Sequence, residues 1–388
     1  MLRVLSLIFY AKKNLFYPKK KDFLIIDKLT GFKLIRLIKN KKINILDIRF
    51  NEIFILILVL AFLKKIIHPT LKLTQHYILI YIKIANPKVI LTANDVDTFF
   101  WDLKKYFPQK KIIIFQNNYR NGWDFGNVFK NKLRTKGKCD LFITYCNAVK
   151  SEYKKKIKCE YFSAGSIENN LIAKNFRNKK EKLIYISQFK NWDNGESTLG
   201  ENNKIINLKE SYIKSDQIIL NFLNNYCIKN NKRLLIFLRN TKSDLVKKEI
   251  NYYNLILNFK VKFLKKQNIT HGYKLISQFD YFVTIDSTMG YECLARGKRV
   301  AFFNNRYLVS NFKNGKKHRF GWPKNYKING PFWTNSTDKK EMEKVLKNLF
   351  LMSSTKWSII KKKYINDVIS YDFKNRRLIK KLNRIFEI

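Results

Sequence analysis

Short apolar runs alternate with longer amphipathic stretches along almost the whole chain. In the first half, the apolar runs predict β-strands at 23–26, 43–48, 89–92, 112–115, 141–144 and 160–163. The stretches between them predict helices at 31–38, 52–67, 71–84, 97–106 and 148–156. Such regular alternation of strand and helix is typical of α/β proteins with parallel sheets.

The same pattern begins again after a polar, charged segment at 169–182. Strands are predicted at 183–186, 234–238, 261–264, 282–285 and 300–303, and helices at 215–229, 243–257, 271–278, 289–296, 338–350, 357–369 and 374–384. A chain of 388 residues is long enough for two hydrophobic cores. We therefore predict a first domain at 1–170, a linker at 171–182 and a second domain at 183–388.

The most informative segment of the chain is 281–303, which predicts a strand, a tight turn, a short helix and a second strand. The turn contains Asp286, Ser287 and Thr288, three residue types that commonly cap helix N-termini. Gly297 follows the last residue of the predicted helix, where a left-handed backbone conformation often ends a helix.

A helix that starts after a parallel strand offers free backbone N–H groups and the positive end of its dipole to an anion. Ser287 and Thr288 can therefore bind phosphate groups. Glu292 lies four residues after Thr288, on the same side of the helix, where it can accept hydrogen bonds from ribose hydroxyls. The alternative is an ordinary strand–helix unit with a polar cap and a solvated Glu292.

The chain is strongly basic, with 78 Lys and Arg against 29 Asp and Glu and a net charge of +49. Such a charge favours a polyanionic partner. The basic residues are spread along the chain, and the heavy use of Lys, Ile, Asn, Phe and Tyr also fits an AT-rich codon bias. We therefore interpret the charge as favouring an anionic membrane surface over a specific nucleic acid.

The longest apolar run, Ile53 to Leu63, is too short to span a bilayer. It predicts either a buried helix or an interfacial helix, since Lys64 and Lys65 follow it. The pattern favours burial against a parallel sheet. The five cysteines are scattered without CxxC or zinc-site spacing, which favours reduced thiols in the cytoplasm and predicts no metal site.

Four segments together resemble a known family: 89–100, with an aspartate-bearing loop after a strand; 112–122; 163–170; and 285–292 with Gly297, followed by 330–335. In this order the chain resembles surface-carbohydrate (lipopolysaccharide-type) biosynthesis proteins, over roughly residues 20 to 345. That group is similar to CDP-glycerol glycerophosphotransferases and capsule transferases. One departure is Asn118, where family members tend to have Gly after Gln-Asn; Asn also tolerates a positive φ.

The resemblance implies a GT-B-like α/β fold, with two doubly wound Rossmann-type domains facing a cleft. It also implies an enzyme that transfers a sugar or related group from a nucleotide-activated donor to a glycan or lipid-linked acceptor. The donor is then a substrate, and no cofactor is expected. The expected location is cytoplasmic, peripheral to the inner face of the plasma membrane.

Such a transfer requires groups that stabilise the leaving diphosphate. On the donor side the candidates are Ser287 and Thr288 for phosphate, Glu292 for ribose, and Arg239 at the end of a strand for bidentate phosphate contact. Gly165 and Ser166 form a turn after a strand, where a residue without a side chain allows close approach to phosphate. Arg239 is equally consistent with a surface loop arginine.

An acceptor hydroxyl also needs a general base. Asp95 is the first candidate and Asp97 the second, because both follow the strand 89–92; Asp27, after 23–26, is the reserve. Capping of the next helix is an alternative role for Asp95. Gln116 and Asn117 follow another strand and are candidates for binding acceptor hydroxyls.

Two other functions compete with the transferase. A nucleotide-sugar 2-epimerase has the same two-domain layout, but such enzymes usually place histidines in the cleft and this chain has only four. A basic nucleic-acid-binding protein would cluster Lys and Arg with aromatic residues on one face. The diffuse distribution of lysine here argues against that function.

Overall fold

The computed structural model describes residues 10–38, 41–117, 137–193, 195, 197–199, 205–306, 328–366 and 368–387. Within them the chain forms two compact units. The first contains the described residues of 10–117, 137–167 and 375–387, and the second contains those of 168–374. The end of the segment 112–122, residues 118–122 with Asn118, lies outside the described ranges.

The first unit is built on a six-stranded sheet in which every strand pair is parallel, in the order β3-β2-β5-β6-β7-β8. Its strands are β2 (Phe23–Ile26), β3 (Ile43–Leu46), β5 (Val89–Thr92), β6 (Lys111–Phe115), β7 (Gly137–Thr144) and β8 (Ile157–Ser163). The helices of this unit are α1 (Lys28–Ile35), α2 (Ile55–Ile67), α3 (Leu73–Ala85), α4 (Thr98–Tyr106), α5 (Asn147–Lys154), α6 (Ile167–Asn170), which straddles the boundary, and α13 (Arg376–Phe386).

Both faces of this sheet are covered, because alternate strand residues enter two different cores. In β2, Leu24 and Ile26 pack into one cluster with residues of α3 and α4. Phe23 and Ile25 pack into a second cluster with Leu34 of α1. Strands buried on both faces are uniformly apolar, which explains why they stand out so clearly in the sequence.

The last helix, α13, belongs to this first unit, because Leu378 and Leu382 are completely buried in the second of these clusters. The predicted second domain, 183–388, includes α13, and that part of the prediction is wrong. A hydrophobic pattern shows that a helix has a buried side but does not show which sheet covers it.

A further pair of strands precedes α2. β1 (Lys12–Asn14) runs parallel to β4 (Glu52–Phe54). The predicted helix at 52–67 therefore begins three residues later than expected, because residues 52–54 form the strand β4. The prediction that the Ile53–Leu63 run is buried against a sheet is correct for one side of the run only. Ile53, Ile57 and Ala61 are buried, whereas the exposed residues are Leu56, Val59, Leu60, Phe62 and Leu63.

The second unit contains another six-stranded parallel sheet, in the order β13-β12-β9-β14-β15-β16. Its strands are β9 (Lys182–Ile186), β12 (Arg233–Phe237), β13 (Lys262–Leu264), β14 (Tyr281–Thr284), β15 (Arg299–Phe303) and β16 (Trp333–Thr334). Its helices are α7 (Leu208–Lys229), α8 (Ser243–Ile256), α9 (Ile269–Ile276), α10 (Thr288–Ala295), α11 (Lys339–Leu351) and α12 (Ser354–Ile365). A short antiparallel pair joins β10 (Ser197–Leu199) and β11 (Ile205–Asn207).

Two α/β units with parallel sheets confirm the predicted fold class. The prediction of a cleft shared by the two units stays a prediction. In the part of the chain described, no helix is both long enough and apolar enough to cross a bilayer.

Candidate active site

The carboxyl ends of parallel strands lie at one edge of a sheet, and ligands of open α/β sheets bind beyond that edge. In the second unit β9, β12, β14 and β15 all run in the same direction. The residues that follow β12 and β14, Arg239 and the turn 286–288, therefore share this edge, as expected from the sequence.

The turn after β14 leads directly into α10. Ser287 occupies the N-cap position, and its side chain makes no capping hydrogen bond. The first turn closes when the Gly290 N–H donates to the Ser287 carbonyl at 2.8 Å. A Cβ atom at Gly290 would lie 2.5 Å from Cγ2 of Thr284. The absence of a side chain at Gly290 therefore allows the helix start to lie close against β14.

The end of α10 has the form predicted for Gly297. This glycine has φ of 96°, and its N–H donates to the Leu294 carbonyl at 3.0 Å. The Lys298 N–H donates to the Cys293 carbonyl at 3.0 Å. Together these bonds form a Schellman motif, which confirms the predicted left-handed end of the helix.

Glu292 is 3% exposed, so it is not a solvated surface residue. Its Oε2 accepts a 2.8 Å hydrogen bond from the hydroxyl of Tyr273, a residue of α9. The side chain is thus held in a defined position one turn after Thr288, which is half-buried.

Arg239 is exposed at the end of β12. Its Nη1 donates to the Phe189 carbonyl at 3.0 Å, and its backbone N–H donates to Oε1 of Glu249 at 2.8 Å. Glu249 is fully buried and also accepts from the backbone and side chain of Asn240. This carboxylate fixes the loop that presents Arg239.

Arg306, which no sequence pattern singles out, lies at the same edge after β15. Its Nη1 is 3.6 Å from Oδ1 of Asp286, and its guanidinium carbon lies 3.6 Å from the ring centroid of Tyr212. The side chain is 11% exposed, and its Nε and Nη2 have no hydrogen-bond partner in the described structure. Burial raises the pKa of the Asp286 carboxyl, and the charge of Arg306 opposes this shift.

Lys266, likewise not among the candidates from the sequence, follows β13 and lies over the ring of Phe237, 5.2 Å from its centroid. Burial lowers the pKa of its ammonium group to about 8, with the charges of Glu249, Arg239 and Glu292 close enough to affect it. In sequence, neither Lys266 nor Arg306 stands out among 78 basic residues. Their position directly after a predicted strand was the available signal.

In the first unit, Asp95 is 0% exposed. Its Oδ1 accepts from the Asn117 N–H at 3.3 Å and its Oδ2 from the Tyr153 hydroxyl at 3.1 Å. It does not cap the following helix. That position belongs to Asp97, which is exposed and whose Oδ1 accepts from the Phe99 N–H at 3.0 Å.

Asp27 follows β2 and caps α1, with an unusual φ of 66°. Its two carboxylate oxygens accept from Nε and Nη2 of Arg49 at 3.2 and 3.1 Å, and Oδ2 also accepts from the Thr30 hydroxyl at 2.9 Å. Burial acts to raise the pKa of Asp27, but the hydrogen bonds from Arg49 and Thr30 leave it below its usual value.

Gln116 and Asn117 follow β6 at the same edge as Asp95. Gln116 is buried and its Oε1 accepts from the Tyr145 N–H at 2.8 Å. Asn117 is half-buried, and its Oδ1 accepts from Nζ of Lys33 at 2.8 Å. Of this pair, Asn117 is the more accessible side chain.

Gly165 and Ser166 follow β8, and both are buried. Gly165 has φ of 77°, the left-handed conformation that favours glycine. The pair belongs to the first unit, whereas Arg239, Ser287, Thr288 and Glu292 belong to the second. The structure thus distributes the predicted donor-binding residues over the carboxyl edges of both sheets.

Over the residues that the structure describes, no group of three or more His, Cys, Asp or Glu side chains is arranged to hold a metal ion. The predicted absence of a metal and of a cofactor stays a prediction.

Residues 113–386 match the model of a protein family described as "putative O-antigen biosynthesis protein". This match covers well over half of the chain. The chain belongs to this O-antigen biosynthesis family. O-antigen is a surface polysaccharide, so the resemblance inferred from the sequence is confirmed. The matched region contains all the candidate residues except Asp27, Asp95 and Asp97.

The chain is also similar to several solved structures. One is described as a "putative UDP-N-acetylglucosamine 2-epimerase" from Listeria monocytogenes, with 12% identity over 95% of this chain and 97% of that one and a TM-score of 0.54. A second is S. aureus MnaA in complex with UDP, with 11% identity, coverage of 95% and 97%, and a TM-score of 0.52. A third is the wall teichoic acid polymerase TagF with CDPG, with 8% identity, coverage of 95% and 90%, and a TM-score of 0.50.

At these identities the similarity establishes the fold, which is that of GT-B-like proteins. Among curated proteins, none matches the chain in sequence.

Proposed function

We propose that this member of the O-antigen biosynthesis family is a glycosyltransferase-type enzyme. It transfers a sugar or related group from a nucleotide-activated donor to a glycan or lipid-linked acceptor. The second unit binds the donor and the first unit binds the acceptor. The enzyme works in the cytoplasm, at the inner face of the plasma membrane.

The single observation that carries this proposal is the set of groups around the start of α10. The half-buried turn at Ser287 and Thr288 presents a helix N-terminus. Arg306 follows the adjacent strand β15, and two of its buried nitrogens have no hydrogen-bond partner among the described residues. A diphosphate is an anion that suits both. Glu292, held by Tyr273, provides an acceptor for ribose hydroxyls.

This arrangement also accounts for the leaving group. As the bond between the transferred group and the diphosphate breaks, negative charge develops on the diphosphate oxygens. Arg239 and Arg306 stabilise that charge at the moment it forms, and no proton transfer to the leaving group is then required. Ser166 and the turn at Gly165 stay candidates for contact with a phosphate group.

We propose a different order for the three candidate bases, based on their burial and hydrogen bonds. Asp95 is fully buried with both oxygens in hydrogen bonds, and Asp27 is paired with Arg49. Asp97 is exposed, and only its Oδ1 is used in capping α4. We therefore propose Asp97 as the base that removes the acceptor proton, with Asp95 positioning the loop through Asn117. Gln116 supports the same loop through Tyr145.

The test is a thermal-shift panel of nucleotides and their sugar or glycerol conjugates, because a ligand that binds only the folded state raises the melting temperature. A shift with one base identifies the donor class. Purified Asp97→Asn, Asp95→Asn and Asp27→Asn proteins are then compared for donor binding and turnover. We expect Asp97→Asn to bind the donor but lose turnover; no shift with any nucleotide would overturn the proposal.

The nucleotide-sugar that this panel identifies is then used to distinguish the transferase from an epimerase with the same fold. An epimerase converts the nucleotide-sugar that shifts its melting temperature into an isomer without an acceptor, which proton NMR of the mixture detects. We expect the nucleotide-sugar to stay unchanged until an acceptor is added.

A further inference from the structure

The first unit exposes a large apolar surface on α2. This helix contains no acidic residue, and its sequence is almost entirely aliphatic or aromatic before Lys64 and Lys65. Phe62 is 58% exposed and Ile66 is 67% exposed. The other exposed apolar side chains of the helix are those of Leu56, Val59, Leu60, Leu63 and Ile67. A contiguous apolar patch of this kind marks a site of interaction with a partner or a membrane.

A second exposed segment, 10–20, is joined to α2 through the sheet. β1 within it pairs with β4, and β4 leads directly into α2. Phe16 is 84% exposed, and Tyr10, Leu15 and Tyr17 are exposed as well. We call the exposed side chains of 10–20 and α2 together the basic apolar surface.

The charged side chains of this surface are all positive. Lys12, Lys13, Lys19, Lys20 and Lys64 are exposed, and neither 10–20 nor 55–72 contains Asp or Glu. A second copy of the chain would bring the same positive charges together, which opposes self-association through this face. An anionic lipid surface complements both the lysines and the apolar side chains.

A cavity of about 470 Å³ opens between the segment 10–20 and the strands β3 and β4, and β4 leads into α2. Its lining includes Phe16, Tyr17, Lys19 and Lys28. The acidic residue in the lining, Glu52, is held by a 2.9 Å hydrogen bond from Asn14. Aromatic rings beside lysines are the combination found at the headgroup level of membranes.

We propose that the basic apolar surface binds the chain to an anionic lipid bilayer. The apolar side of α2 and the ring of Phe16 enter the boundary between headgroups and acyl chains, and the lysines contact lipid phosphates. The helix lies in the plane of the membrane, because its thirteen residues extend about 20 Å, less than the roughly 30 Å of a hydrocarbon core. This proposal identifies the surface that binds the membrane. It rests on the proposed function only for the reason why the enzyme binds there.

The test measures binding of the full chain to sedimented vesicles, without donor or acceptor. Vesicles of phosphatidylcholine alone are compared with vesicles of equal parts phosphatidylcholine and phosphatidylglycerol. We expect binding to the anionic vesicles that weakens as salt is added. Phe62→Ser with Ile66→Ser should lower this binding about tenfold or more, and Lys12→Glu with Lys13→Glu should lower it on anionic vesicles only.

Matched controls exist in the second unit. Leu255 and Leu351 are 85% and 76% exposed on other helices, so Leu255→Ser with Leu351→Ser removes comparable apolar surface elsewhere. Lys339→Glu with Lys340→Glu is the charge control, since both lysines are exposed. Neither control should change vesicle binding.

Three results would overturn the proposal: no binding of the wild-type chain to anionic vesicles, an equal loss in the controls, or a wild-type dimer in sedimentation that the Phe62→Ser, Ile66→Ser variant abolishes. The last result would assign the surface to a second copy. The vesicle assay contains no nucleotide, so its result is independent of the thermal-shift panel. The membrane proposal can therefore fail while the proposed function holds, and the proposed function can fail while the membrane proposal holds.

Discussion

Nη1 of Arg306 lies 3.6 Å from Oδ1 of Asp286, which joins the end of β15 to the turn that starts α10. The same guanidinium packs on the ring of Tyr212, so its plane is held from one side. Two of its nitrogens remain without hydrogen-bond partners in the described residues. A rigid arginine with unused donors beside a helix N-terminus is arranged for a bidentate anion such as a diphosphate.

Arg306→Lys keeps the positive charge beside Asp286 but removes the planar pair of donors. We expect the affinity for the donor nucleotide to fall about tenfold or more, because hydrogen bonds to charged groups contribute about 1.5–3 kcal/mol. Isothermal titration calorimetry measures this. Arg233→Lys, at the amino end of β12 and exposed, is the control and should bind normally. Unchanged affinity of the Arg306 variant would place the diphosphate elsewhere.

Glu292→Gln tests the assignment to ribose. Gln is of nearly the same size and retains an oxygen that can accept from Tyr273, so the variant should fold. The wild type should prefer a ribonucleotide over its 2′-deoxy or 3′-deoxy analogue by about tenfold, and the variant should narrow this preference, since a charged acceptor is replaced by a neutral one. The readout is the ratio of the two dissociation constants. A wild type that binds all analogues equally contradicts the assignment.

Donor affinity should depend on pH through Lys266. Burial lowers the pKa of its ammonium group to about 8, so the positive charge is present below that pH and lost above it. Attraction of the diphosphate should therefore weaken as the pH rises through about 8. Titrations across this range should show the effect in the wild type. The Lys266→Met variant should bind the donor weakly at every pH, and the Lys266→Arg variant should keep its donor affinity at high pH. If the donor affinity of Lys266→Met fell with pH as steeply as that of the wild type, Lys266 would not be the cause of the pH dependence.

Gly290→Ala should destabilise the protein by about 1–3 kcal/mol, as overpacked sites do. The new Cβ would lie 2.5 Å from Cγ2 of Thr284, and α10 would have to move away from β14. Thr284→Ser removes Cγ2 but keeps the hydroxyl that accepts from the Ser287 N–H. Adding it to Gly290→Ala should restore most of the lost stability in denaturant unfolding. If Thr284→Ser did not restore stability, the contact with Cγ2 of Thr284 would not be the cause of the stability lost in Gly290→Ala.

Much of the fold was predicted from the sequence because the relevant signals are local. The strands of both sheets are short, apolar and separated by amphipathic stretches, and every strand of the two large sheets except the very short β16 overlaps a predicted strand. The end of α10 at Gly297 was also predicted, since a left-handed terminus depends on one residue and its immediate neighbours. The placement of Arg239 and the turn at 286–288 followed from the rule that parallel strands end at one edge.

Other features depended on contacts between distant residues. Arg306 and Lys266 became candidates only when the sheet order placed their strand ends near Asp286 and Glu292. Asp95 was the first candidate base in the sequence, but it is 0% exposed, and its Oδ2 accepts a hydrogen bond from Tyr153, 58 residues later.

The sequence by itself determined the α/β class, the order of nearly all strands of the two large sheets and the turn before α10, because these follow from periodicity, capping and glycine conformation within a few residues. Only the tertiary structure decided that α13 returns to the first sheet and that α2 leaves its apolar side exposed. A hydrophobic pattern shows that a side chain can be buried. Whether another part of the chain covers it depends on packing between elements far apart in sequence.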